Sequence, residues 1–169
     1  MSDLRLTPHG LWFLGRRFPC AIGKSGIRVQ KREGDGATPA GRHRIVGMMY
    51  RADRLAQPQP WAKKIGPQDL WSDDSEASEY NQLVCMPYAF SHEAMRRADP
   101  LYDIVFITDY NYPEAQSGLG SAIFLHQWRR PRFPTEGCIA LRRDHLKWIA
   151  ERVPQGALLE ISQSLATDA

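Results

Sequence analysis

Two residues able to do covalent chemistry together lie twelve positions apart in one stretch, Ser121 to Arg142, which reads SAIFLHQWRRPRFPTEGCIALR. They are His126 and Cys138. An unperturbed thiol has a pKa of about 8.5 and is mostly protonated at neutral pH. A neighbouring imidazole can take that proton and leave a sulfur nucleophile. The thiolate attacks a carbonyl, an amine leaves, and a thioester remains. Backbone N–H groups around Gly137 and Cys138 are the natural donors to the oxyanion. A second amine reaching the thioester forms a new amide; water reaching it makes the protein a peptidase.

Placing the two residues requires two short strands and a turn. Ala122 to Leu125 is an apolar run that ends at His126, and Ile139 to Leu141 is a second run that begins after Cys138. The segment between them is basic and broken by proline. Gly137 allows a tight turn and a close approach to the sulfur, and Thr135 can bond locally to fix that turn. The alternative is structural: a buried cysteine is often a small hydrophobe, and a lone histidine is commonly a satisfied core residue.

Thr135-Glu136-Gly137-Cys138-Ile139, with His126 upstream, resembles the catalytic signature of the L,D-transpeptidases, the YkuD domain family. Gly36-Ala37-Thr38-Pro39-Ala40-Gly41-Arg42 is similar to that family's Thr-Pro-x-Gly element. The likeness runs from roughly Leu11 to Ile161. Two positions depart from the family's pattern: Glu136 stands where a His is usual, and Ala140 where a polar residue is common. The resemblance implies a mainly β catalytic domain, a β-sandwich or open barrel with two short packed helices. It implies Cys138 as nucleophile, His126 as base, the backbone carbonyl of Gln127 as the group that orients the imidazole, and peptidoglycan stem peptides as donor and acceptor. It also implies action in the periplasm or cell wall, sensitivity to carbapenems and no cofactor. Candidate substrate contacts are Thr135, Glu136, Arg129 and Arg142 around the turn. Trp71, Tyr80 and Asn81 could pack against the substrate or anchor their own loop.

At 169 residues the chain is expected to be a single domain, 1–169, with a polar tail over 163–169 that frays, and a monomer. A net charge of +3 with scattered basic residues does not argue for nucleic acid. No apolar run approaches bilayer length, and Met1 to Gly10 carries no visible secretory signal. Cys20, Cys85 and Cys138 are odd in number and widely spaced, so at least one free thiol is expected. Neither a Cys-x-x-Cys nor a His-Glu-x-x-His motif occurs, which argues against a metal site, and no phosphate-binding loop is present.

The pattern along the chain predicts eight or nine strands. They include Leu11 to Leu14, Pro19 to Ile22, Arg42 to Tyr50, Leu83 to Met86 with a core Cys85, Leu101 to Thr108 and Ala157 to Ile161. Lys31 to Gly36 reads as surface loop. Arg51 to Asn81 is long, proline-bearing and irregular, and could cover a cleft. Helices are predicted over Ser91 to Ala98 and His145 to Arg152, the second capped by Asp144. Strands joined by loops favour antiparallel sheets. Three functions remain open. One is a transpeptidase forming 3-3 or less usual linkages such as 1-3. The second is a carboxypeptidase or amidase trimming stems, and the third a non-catalytic wall-binding module.

Overall fold

Successive side chains of a strand point to opposite faces, and that alternation divides this molecule into two cores. The computed structural model describes residues 3–168. Fifteen short strands form among them: β1 Leu4–Thr7, β2 Gly10–Phe13, β3 Arg16–Phe18, β4 Cys20–Ala21, β5 Ile27–Arg28, β6 Thr38–Pro39, β7 Gly41–Tyr50, β8 Lys63–Lys64, β9 Asp69–Ser72, β10 Leu83–Cys85, β11 His92–Ala94, β12 Ile104–Thr108, β13 Phe124–Gln127, β14 Ile139–Leu141 and β15 Leu158–Ile161. One α-helix, α1, spans Arg143–Ala150, and a 3-10 turn covers Gln163–Leu165.

The main sheet runs β3-β2-β1-β15-β7-β12-β13-β14-β4, with β8 beside β7. Its two end strands are separated in sequence by Pro19 alone, and the sheet curls into a nearly closed barrel. The expected mainly β class is what forms, with 35% strand and 7% helix. Pairing is mostly antiparallel, but β1 with β15, β7 with β8 and β13 with β14 run parallel, and the last of these pairs places the site.

Strand β12 is buried along its whole length. Ile104 and Phe106 point into a core shared with Leu125, Ile139, Leu141 and the helix residues Leu146 and Ile149. Val105 and Ile107 point the other way, into a second core with Trp71, Tyr102, Ala122 and Phe124. Each fully buried Leu, Ile or Phe contributes on the order of 2 kcal/mol, so this strand ties both cores to one rigid element.

The stretch expected to be a helix over Ser91 to Ala98 contains β11 instead, paired antiparallel with β9. Eight residues are too few for a helix to hold alone, which takes roughly 12–15. The edge of β9 supplies a competing set of backbone partners, and Ser91 is held by its hydroxyl to Asp73 at 2.6 Å. Together β10, β9 and β11 form a separate three-stranded sheet. Cys85 sits on its edge and is exposed, not in the core as its apolar neighbours suggest.

Four further expectations change. The strand count is fifteen, because several two- and three-residue strands carry no periodicity to read. Lys31, in the presumed surface loop, is 6% exposed and lies 2.6 Å from Asp35. Over residues 163–168 the tail is held: Thr167 N–H donates to Ile27 at 2.9 Å, and Asp168 accepts from the N–H groups of Val29 and Gln30. The C-terminal helix begins at Arg143 with no side-chain cap, and Asp144 lies in its first turn, bound by Arg142.

Candidate active site

The register of β13 and β14 decides which side chains share a face. Leu125 lies opposite Ile139, His126 opposite Ala140 and Gln127 opposite Leu141. Extending the ladder back one residue puts Cys138 level with Phe124. Phe124 and His126 are two apart on one strand, Cys138 and Ala140 two apart on the other, so all four face the second core. Strands about 4.8 Å apart rising about 3.3 Å per residue make His126 and Cys138 diagonal neighbours. Both line a cleft of about 370 Å³, with Glu93, Arg97, Tyr102 and Thr135 among its other walls.

The turn before Cys138 is held from two sides. Thr135 Oγ1 donates to the carbonyl of Cys138 at 2.6 Å and accepts from the N–H of Gly137 at 3.1 Å. Thr38, fully buried, donates its hydroxyl to the carbonyl of Gly137 at 2.7 Å and accepts from the N–H of Gly23 at 2.9 Å. Gly137 has a φ of +148°, and a Cβ there would lie 2.8 Å from the carbonyl oxygen of Ala37. No other residue fits. The Thr-Pro-x-Gly element is therefore the floor on which the turn rests.

The two N–H groups expected as oxyanion donors differ. The N–H of Gly137 already donates to Thr135 Oγ1 at 3.1 Å. No turn or side-chain acceptor among the described residues takes the N–H of Cys138.

The sulfur is packed from behind. Cys138 Sγ donates to the carbonyl of Ala122 at 3.1 Å and accepts from the N–H of Phe124 at 3.4 Å. Ala122 has a φ of +52°, uncommon for a residue with a Cβ. Its N–H donates to Asn81 Oδ1 at 2.9 Å. Burial pushes the thiol up to about 12, with the charge of Glu93 adding to the rise.

His126 is 7% exposed, and its Nδ1 lies 2.7 Å from the carbonyl oxygen of Gln127. A carbonyl only accepts, so Nδ1 carries the proton and Nε2 keeps its lone pair. Burial lowers the imidazole to about 4. Tyr102 packs edge-on against the ring at 5.2 Å. The resting pair is a neutral thiol and a neutral imidazole.

A family model, YkuD: L,D-transpeptidase catalytic domain, matches residues 11–161. The chain belongs to the YkuD family. Members of the YkuD family are enzymes that act on peptidoglycan as L,D-transpeptidases, and the barrel here is consistent with the YkuD fold. No curated protein matches the chain. Among the described residues no helix is long and apolar enough to cross a membrane. Among the described residues no cluster of three or more His, Cys, Asp or Glu could hold a metal ion.

Of the residues singled out by sequence, the fold brings Cys138, His126, Thr135, Glu136 and Arg129 to the cleft. Gln127 contributes through its backbone, and its side chain turns towards Arg143. Glu136 is exposed at the cleft and forms an ion pair with Lys24 at 2.9 Å. Arg142 is exposed and bound to Asp144, outside the cleft.

Trp71, Tyr80 and Asn81 are not substrate-facing. They are 1%, 4% and 2% exposed. Trp71 packs on Phe124 and donates to Asn81 at 2.9 Å, while Tyr80 takes the N–H of Gly120 and donates to Glu33. They anchor the 51–81 segment, an insertion between β7 and β10, to the barrel.

Sequence reasoning missed Glu93, Arg97 and Tyr102. The first two lie in a stretch with helical composition, and nothing local shows that they meet Cys138. Thr38 carried a signal in its motif, but not the contact it makes.

Proposed function

We propose that the protein is a peptidoglycan L,D-transpeptidase that works through a thioester on Cys138. The observation that carries this reading is that His126 and Cys138 sit on one face of a parallel strand pair at the wall of an open cleft. A stem peptide enters the cleft and presents a carbonyl to the sulfur. His126 Nε2 takes the thiol proton as the carbon–sulfur bond forms and gives it to the departing amine. The N–H of Cys138 donates to the developing oxyanion, a contribution of about 3 kcal/mol in comparable sites. The thioester is then resolved by an amine of a second stem, either the side-chain amine of a third residue or the N-terminal amine of a stem, giving a 3-3 or a 1-3 linkage. The site of action on this reading is the periplasm or cell wall.

The test is incubation with a disaccharide-tetrapeptide followed by mass spectrometry of enzyme and products. The expected result is a Cys138 adduct and cross-linked dimer, both absent in Cys138→Ala. Unchanged dimer in that variant overturns the reading. Tripeptide without dimer would identify a carboxypeptidase, and retention on sacculi without any adduct a binding module.

A further inference from the structure

We propose that Glu93 is the residue that binds the incoming acceptor amine and takes its proton. This rests on the transpeptidase reading and goes beyond it, because it names the group that separates aminolysis from hydrolysis.

Glu93 lies on β11, opposite Trp71 of β9, and projects into the cleft that holds Cys138 and His126. One carboxyl oxygen accepts from the hydroxyl of Tyr102 at 2.5 Å. The other has no hydrogen-bond donor among the described residues, yet it is not sealed from the cleft. Of the other charged side chains lining the cleft, Arg129 forms no ion pair among the described residues, while Arg97 and Glu136 are paired. Arg97 is clasped by Asp99 at 2.7 Å and lies over the Tyr102 ring. Glu136 is paired with Lys24. No ion pair is formed by Glu93 among the described residues, so it is the acid of the cleft left for a cation to meet.

Its position is costly for the first half of the reaction. A carboxylate near the sulfur opposes formation of a thiolate, and its charge contributes to the raised thiol. An acid that hinders acylation and is nevertheless held at the cleft by Tyr102 fits a role in the second half. An acceptor amine arrives as an ammonium, and an ammonium cannot attack. Glu93 receives it in the ionised form and accepts one of its protons, becoming a neutral carboxyl. Burial raises the Glu93 carboxyl and so strengthens it as a base. The free amine adds to the thioester carbonyl, and the new carbon–nitrogen bond forms as the carbon–sulfur bond breaks. The second amine proton passes through His126 to the leaving sulfur, restoring the thiol. Glu93 then releases its proton to solvent, so each turn of this step liberates one proton. Water carries no positive charge, so the carboxylate does not draw it in as it draws an ammonium.

The experiment compares wild type with Glu93→Gln and Glu93→Asp, using a stem tetrapeptide as donor and a second stem as acceptor. Acyl-enzyme formation is followed by intact mass, and dimer and tripeptide by chromatography. In Glu93→Gln, acylation is expected to be at least as fast as in wild type. The KM for acceptor should rise about tenfold or more, with product shifting to tripeptide; Glu93→Asp should recover part of the dimer. An unchanged acceptor KM and dimer-to-tripeptide ratio overturns the assignment, as does a loss confined to acylation. A measurement on wild type alone guards against a variant that fails to fold. At equal concentrations of unprotonated nucleophile, a cationic primary amine should resolve the acyl-enzyme faster than neutral hydroxylamine beyond their ratio on a free thioester; no excess preference overturns the proposal. Absence of any acyl-enzyme in wild type overturns the transpeptidase reading itself, whereas an acyl-enzyme indifferent to Glu93 removes only the role given to this residue.

Discussion

The buried hydroxyl of Thr38 donates to the carbonyl of Gly137 at 2.7 Å, across ninety-nine residues of chain. The same oxygen accepts from the N–H of Gly23. Thr38→Val keeps the shape and removes both bonds, leaving a buried donor and a buried acceptor unmatched. The expected cost is roughly 2–4 kcal/mol of stability, read by urea unfolding, with acylation of Cys138 slowed as the turn loosens. A variant as stable as wild type would show that Thr38 does not hold the turn.

Gly137→Ala tests the same turn from inside. The residue has a φ of +148°, and its Cβ would meet the carbonyl of Ala37 at 2.8 Å. Relief requires moving the backbone next to the sulfur. A displacement near 1 Å at a reacting group costs about 100-fold in rate, so acyl-enzyme formation should fall by at least that factor. Rates within threefold of wild type, allowing about that for error, would exclude the crowding argument.

Asn81 holds three elements at once. Its Oδ1 accepts from Trp71 and from the N–H of Ala122, and its Nδ2 donates to the carbonyl of Asn111 at 2.6 Å. Asn81→Leu leaves those buried groups unmatched, a loss of roughly 3–5 kcal/mol. It also frees Ala122, whose carbonyl receives the Cys138 thiol. Alkylation of Cys138 by iodoacetamide should therefore change along with stability. A stability loss with no change in Cys138 reactivity would separate the insertion from the site.

Glu136 occupies the position where the resemblance calls for a histidine, but its ion pair with Lys24 is exposed. Exposed pairs contribute little. Glu136→Ala should leave cross-linking within about twofold of wild type, measured as dimer formed per unit time; a tenfold loss would place Glu136 in the reaction.

Stability should fall with acid through His126. Burial holds its folded value at about 4 against an ordinary 6.5. The unfolded chain binds more protons between those values, so stability is full above about pH 6.5 and is lost as pH falls towards 4. The separation corresponds to about 3 kcal/mol, at 1.36 kcal/mol per pKa unit. His43 and His145, also lowered by burial, add in the same direction. Thermal melts from pH 7.5 to 4.5 should show the slope, and His126→Asn should flatten part of it. An identical slope in the variant would mean that His126 is not the buried neutral group described here.

Much of the barrel was legible because its strands are apolar and bounded by glycine or proline. Gly41–Tyr50, Ile104–Thr108 and Ile139–Leu141 appear close to where periodicity puts them. The pair His126 and Cys138 was legible too, from residue type and the glycine between turn and sulfur. Ser91 to Ala98 misled because composition favours a helix, while the open edge of β9 offered backbone partners that composition does not record. Trp71, Tyr80 and Asn81 misled for a related reason: aromatic and amide side chains look the same in sequence whether they face a ligand or a buried carbonyl.

Local chemistry therefore pointed to the proposed nucleophile and base, and it carried the tight turn and the β class, since each depends on residue type and short spacing. The tertiary structure alone decided that β13 and β14 run parallel, that Thr38 grips Gly137, and that Glu93, far away in sequence, shares the cleft with the sulfur. Those relations join residues tens of positions apart, and no local preference fixes the register or the face on which such segments meet.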